Sequence, residues 1–271
     1  YDESSVCPGN SIALYIVPDA LHFLAYLLVL YFMRNPSCER SEHLMERSFL
    51  QTSRTTDWPL EHRKLVKTLL AFLWFCLIWF CASVAIHILH IFVHRNFFYI
   101  FKPPSDEWKW FLITLTVATL SLNDLVCAAI VTSYSVHCQL NIFYITNLCR
   151  SMTEKRIDFQ EFYKRVEESR KFVDYLNSDQ ALCVSPLIVN FSCRALVAIY
   201  AITRQAEGWQ VKTQISILFC FLLWICLLIL PLMQGFRLTD ACTSLQELGH
   251  LLRSRPFGYQ DAPQENLDSL L

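Results

Sequence analysis

The chain has 271 residues, 54% hydrophobic and 17% charged, with a formal net charge of −1. The charged share is below the ~25% usual for soluble domains, and five glycines leave no glycine-rich phosphate cradle. The net charge says little about partners because the asymmetry is local; no nucleic-acid partner and no cofactor are expected.

Five apolar stretches organise the chain: segment A at 11–32, B at 69–93, C at 110–134, D at 181–202 and E at 214–233. Each is about 20 residues or more, the length a helix needs to cross a bilayer. The expected class is therefore all-α: a polytopic membrane protein with five transmembrane helices and long cytoplasmic helical extensions, not a soluble enzyme. Segment A follows acidic Asp2 and Glu3 rather than a basic region, and its run is longer than that of a signal peptide, so it reads as a true span. The first residue is Tyr1 rather than Met, which gives the expectation of a fragment. Asp19 and His22 lie three apart on A and so share a face.

The A–B connection is partly helical in pattern, with apolar Leu44, Met45 and Phe49, and breaks near Asp57, Trp58 and Pro59. On B, His87, His90 and His94 recur at i, i+3 and i+7 along one face. Ligands spread over more than two turns cannot all reach one ion, so metal binding is not expected. The stripe either lines a polar cavity or packs against neighbouring helices. Asp124 lies near the middle of C and Arg194 near the middle of D. Charged groups at that depth cost about 2.5–3.5 kcal/mol or more each and face the protein interior. Similar depth and opposite sign make the two candidates for an intramembrane charge pair; the alternative is that each finds other groups or backbone.

Between C and D, residues 154–176 lack Gly and Pro, and Phe159, Phe162, Tyr163, Val166, Val173 and Leu176 recur at helical spacing. This predicts an amphipathic helix, with Glu161–Arg165 and Glu167–Lys171 as i,i+4 pairs on its wet side. Such a helix either packs on other cytoplasmic helices or lies on lipid headgroups. After E, Thr239 is expected to cap a separate helix through Leu252, ended near Pro256. The cysteines lie mostly in or beside the apolar segments, where they act as small hydrophobes.

Charge sets the orientation. The A–B connection carries Arg34, Arg40, Arg47, Arg54, Arg63, Lys64 and Lys67. The C–D connection carries Arg150, Lys155, Arg156, Lys164, Arg165, Arg170 and Lys171, and the tail Arg237, Arg253 and Arg255. The other side has only Arg95, Lys102, Lys109, Arg204 and Lys212. The positive-inside rule puts the first group in the cytoplasm, with Trp108, Trp110 and Trp209 at the outer interface. The one Asn-x-Ser/Thr match, Asn190 to Ser192, falls inside D, so no glycan is expected. Asp19, His22, His87, His90, Trp110, Thr114 and Tyr200 all fall in outer halves of their helices. That mix of aromatic and polar groups suits a small-molecule pocket. No nucleophile–base set or acidic pair is placed for catalysis.

The layout resembles the invertebrate gustatory receptor-like family, seven-helix proteins related to insect odorant receptors. The resemblance lies in helix order and loop pattern: the Arg47 to Asp57 stretch before B, the run from Tyr134 to Leu140 closing C, the run from Phe172 to Asn177 leading into D, and Thr239 to Leu248 after E. It aligns A to E with the family's second to sixth helices. The first would then lie upstream of Tyr1, and the seventh, with the family's Tyr…Gln-Phe signature, has no counterpart. The resemblance implies a plasma-membrane, multi-pass chemosensory receptor: a subunit of a ligand-gated cation channel, homo- or hetero-tetrameric when complete, whose pore helix lies outside this chain. Its partners would be a small-molecule ligand and membrane lipid. On this reading 1–148 holds helices A to C with the A–B connection, 149–180 the amphipathic connection, 181–236 helices D and E, and 237–271 a cytoplasmic tail. The competing reading is a multi-pass transporter of a small solute, which would be expected to show internal repeats and Gly/Pro-broken helices.

Overall fold

A computed structural model of the protein describes residues 17–33, 58–93, 106–204 and 211–254, and every element among them is helical. They are α1 (Val17–Met33), α2 (Trp58–Val93), α3 (Asp106–Thr153), α4 (Phe159–Tyr175), α5 (Ala181–Arg204) and α6 (Val211–Ser254). A π-helical turn, Leu176–Gln180, joins α4 to α5. Helix is what an apolar solvent demands, because each backbone N–H and C=O must be satisfied within its own segment. Threonines on the same stretches follow suit: the hydroxyls of Thr114, Thr116 and Thr119 donate to the carbonyls of Trp110, Leu112 and Leu115, one turn back.

Four helices, α2, α3, α5 and α6, are long and apolar enough to cross a membrane. Segment A corresponds to α1, which has 17 described residues. The apolar helices keep large side chains outward, among them Leu73, Trp74, Leu77 and Ile78 on α2 and Leu218, Phe219 and Leu222 on α6. Soluble proteins rarely expose contiguous apolar surface on that scale.

The helices outrun the apolar segments. At 48 residues, α3 is about 72 Å long, against a hydrocarbon core of about 30 Å. Part of it therefore lies outside the hydrocarbon at any ordinary tilt. Helix α2 begins at Trp58 rather than at the first residue of segment B, with Pro59 in its first turn, where the missing N–H of proline costs nothing. The separate tail helix capped by Thr239 is not found. Thr239 lies inside α6, and its hydroxyl donates to the Gly235 carbonyl at 3.0 Å. With no strong breaker after Pro231, extending the backbone ladder costs less than opening it.

The chain divides into two compact units. Among the described residues the first comprises 17–33, 72–93, 106–132, 183–204 and 211–230, and the second 58–71, 133–182 and 231–254.

The second unit is built on the amphipathic helix. Its Phe159 and Phe162 pack with Tyr144, Leu148 and Met152 of α3, and with Leu245 and Leu248 of α6. Phe172 and Leu176 pack with Cys138 and Ile145 of α3 and Leu238 of α6. The ring of His137 stacks on Phe172 with centroids 6.4 Å apart. The helix thus packs against other helices with its apolar stripe. Glu161 and Arg165 pair at 2.6 Å, and Glu167 and Lys171 at 3.8 Å.

This helix starts at Phe159, where its apolar periodicity begins and later than the Gly- and Pro-free stretch from 154, because α3 ends in a Schellman turn. The Arg156 N–H donates to the Ser151 carbonyl and the Lys155 N–H to that of Met152. The turn requires a left-handed residue, and Lys155 takes it with φ 55°. A side chain there costs about 1 kcal/mol relative to glycine. Lys155→Gly is therefore expected to raise the thermal midpoint of the detergent-solubilised protein, and Lys155→Val to lower it. Equal midpoints for the three proteins would rule out a left-handed residue at this helix end.

Candidate functional site

The first unit gathers its polar side chains on one carboxylate. Asp124 on α3 is 2% exposed. Ser83 on α2 donates its hydroxyl to Asp124 Oδ2. His87, one turn further along α2, brings Nε2 to 2.6 Å from the same oxygen. His22 on α1 stands with Nε2 3.9 Å from Oδ1. An ionised carboxylate only accepts, so the contact with His87 requires its proton on Nε2. The far side of His22 fixes its tautomer in the same way. Asn190 on α5 brings its amide nitrogen to 2.8 Å from His22 Nδ1. An amide N–H only donates, so Nδ1 accepts and the His22 proton sits on Nε2, turned toward Asp124.

Beside this cluster stands an aromatic one centred on Trp224 of α6. His22 and Trp79 meet it edge-on, with centroids 5.7 and 5.8 Å away, and Phe191 of α5 lies at 5.3 Å. The Arg194 guanidinium lies over the indole face at 4.9 Å, a cation–π contact that gains strength when desolvated. Trp79 satisfies its own N–H by donating to the Leu223 carbonyl at 2.9 Å. The charges of Asp124 and Arg194 both act on His22, Cys127 and Cys220, so the two ions share one polar region.

Local sequence explains the convergence. Trp79, Ser83 and His87 are spaced by four along α2, as are Asn190 and Arg194 along α5 and Cys220 and Trp224 along α6, so each set forms one stripe. His22, His87 and Asp124, expected to face the interior, come together here. Trp110, Thr114 and Tyr200, expected in the same pocket, stand exposed on their helices and are not among the side chains gathered on Asp124. The side chains of Asp19 and His90, and all of His94, lie outside the described residues. Sequence reading missed Ser83, Asn190, Trp79, Phe191 and Trp224. The usable signal was a polar residue one turn from an intramembrane charge: Ser83 before His87 and Asn190 before Arg194.

The described cysteines are all free thiols. Among the described residues no group of three or more His, Cys, Asp or Glu is arranged to hold a metal ion. No family model, characterised protein or solved structure matches the chain.

Replacing Asp124 by Ala leaves the buried Ser83 donor without its acceptor, at about 1–3 kcal/mol, and half-buried His87 without its partner at a smaller cost. Its thermal midpoint is expected to fall well below that of Asp124→Asn, which retains a carbonyl oxygen. A double-mutant cycle of Asp124→Asn with Arg194→Gln is expected to give a coupling energy above about 0.5 kcal/mol. Strictly additive losses would exclude an Asp124–Arg194 pair.

Proposed function

We propose that this chain is the ligand-facing and cytoplasmic anchoring portion of a chemosensory receptor, a ligand-gated cation channel of the gustatory receptor-like kind. In this reading α1 is a fifth span, the protein sits in the plasma membrane, and the basic connections are cytoplasmic. A small molecule engages the outer halves of the helices, where Trp110, Thr114 and Tyr200 lie. The receptor so proposed works as a homo- or hetero-tetramer around a cation pore. The observation that carries the reading is the convergence of α1, α2, α3, α5 and α6 on one buried polar and aromatic cluster. A signal arriving at the outer ends of those helices has a common packed element through which to act. The resemblance of the helix order and loop pattern to that family supports the reading.

The second reading is transport of a small solute. It is favoured by the buried carboxylate with two histidines, a constellation typical of proton relays in pumps and transporters.

Two measurements separate them. Epitopes inserted at Glu168 and in the Arg204–Lys212 connection test the orientation: Glu168 is expected to need permeabilisation for detection, the other not. Cells expressing the full-length protein are then expected to show a cation current on application of small molecules. Trp110→Ala is expected to shift the half-maximal concentration about tenfold, some 1.4 kcal/mol, at unchanged surface expression. An externally accessible Glu168, or solute accumulation against its gradient without ligand-evoked current, would overturn the receptor reading.

A further inference from the structure

Asn190 is 1% exposed. Its amide nitrogen is spent on His22, but its carbonyl Oδ1 is buried and has no hydrogen-bond partner among the described residues. A buried acceptor left unmet costs about 1–3 kcal/mol, and native structures rarely keep one without a use. The missing donor must be small. Ser83 and Asp124 are almost wholly buried, as is Cys127 one turn beyond Asp124. Trp79 and Phe191 pack on Trp224, which meets the His22 ring edge-on.

We propose that His22, Asn190 and Asp124 form a buried proton-binding site, in which a half-turn of the Asn190 amide accompanies protonation of His22. In the resting arrangement His22 is neutral: Nε2–H points at Asp124 and Nδ1 accepts from the amide. Hydronium supplies the proton and leaves as water. The proton takes the Nδ1 lone pair, and the amide N–H can no longer donate there. Turning the amide end for end presents Oδ1, which accepts the new Nδ1–H. The imidazolium is then held between a carboxylate and a carbonyl, the two acceptors that its two N–H groups require. A proton fits the cluster because it needs no cavity.

The surrounding charges come from every helix that packs here. Helix α1 contributes His22, α2 contributes His87 with Ser83, α3 contributes Asp124 and Cys127, α5 contributes Arg194, and α6 contributes Cys220 beside Trp224. With Asp124 and Arg194 ionised and both histidines neutral, this group has no net formal charge. One added proton leaves it at plus one. The His87 side chain is 19% exposed, more open than those of His22 and Asp124, and is the natural point of entry. The site holds whether the chain senses or transports a solute, and its failure would leave the receptor reading standing.

The test is solid-state nitrogen NMR of histidine-labelled full-length protein in lipid bilayers, with the His22 signals assigned by their loss in His22→Gln. At about pH 8, His22 is expected to show a protonated Nε2 and a bare Nδ1; at about pH 3, low enough to charge a buried imidazole, both nitrogens are expected to carry protons. In Asn190→Leu, which offers no acceptor, the pH at which half of His22 is doubly protonated is expected to fall by about one unit. In Asn190→Asp the doubly protonated signal is expected to be present already at the higher pH. Asn190→Ser, whose hydroxyl both donates and accepts, is expected to keep the wild-type behaviour and serves if the leucine variant does not fold. A resting His22 with its proton on Nδ1, or one that stays neutral throughout because a buried water fills the Oδ1 valence, would overturn the proposal. So would an Asn190→Leu protein that titrates like wild type.

Discussion

A carboxylate held away from water is the constraint to which the first unit answers. Asp124 sits in the middle of an apolar helix and is 2% exposed, where an uncompensated charge is among the most expensive features a membrane protein can carry. It is tolerated because three donors on two other helices are aimed at it: Ser83 and His87 from α2 and His22 from α1. His22 is oriented in turn. Asn190 fixes the tautomer of His22, and Trp224 braces the same ring from the side. Without strong hydrophobic attraction between helices in lipid, such polar contacts and close aromatic packing are what hold neighbours together.

The second unit is held together differently. Helix α4 carries charges of both signs on one face and phenylalanines on the other, and it closes a core with the later parts of α3 and α6. Hydrophobic burial drives that packing, as in a water-soluble bundle. Helices α3 and α6 contribute residues to both units. The same chain therefore carries polar glue in one unit and an apolar core in the other.

Much of this was legible in the sequence, and the rest failed for identifiable reasons. Apolar runs fix that B, C, D and E are helices, but not where the helices stop, because hydropathy marks solvent rather than hydrogen bonding. Trp58 and Thr239 are the cases in point: one starts a helix ahead of its apolar run, and the other continues one beyond it. The periodicity of Phe159, Phe162 and Val166 was enough to find α4 and its start, whereas the left-handed Lys155 that ends α3 has no compositional signal. At the candidate site the rare ionisable residues were readable: His22, His87 and Asp124 stood out against an apolar background. Their partners did not. Ser83 and Asn190 are common in membrane helices, and Trp79 and Trp224 look like any apolar side chain until their contacts are known. Exposure on a helix was equally invisible, so Trp110, Thr114 and Tyr200 were grouped by depth with residues they do not join.

The account stands or falls on the contact between Asp124 and the histidines. Rotational-echo carbon–nitrogen recoupling on bilayer-reconstituted protein, with labelled aspartate side-chain carboxyl and histidine ring nitrogens, measures it directly. The separation of 2.6 Å between His87 Nε2 and Asp124 Oδ2 predicts rapid dephasing of the Asp124 carboxyl signal that disappears in His87→Gln. An Asp124 signal that shows no dephasing from any histidine nitrogen would contradict the buried cluster and every inference built on it.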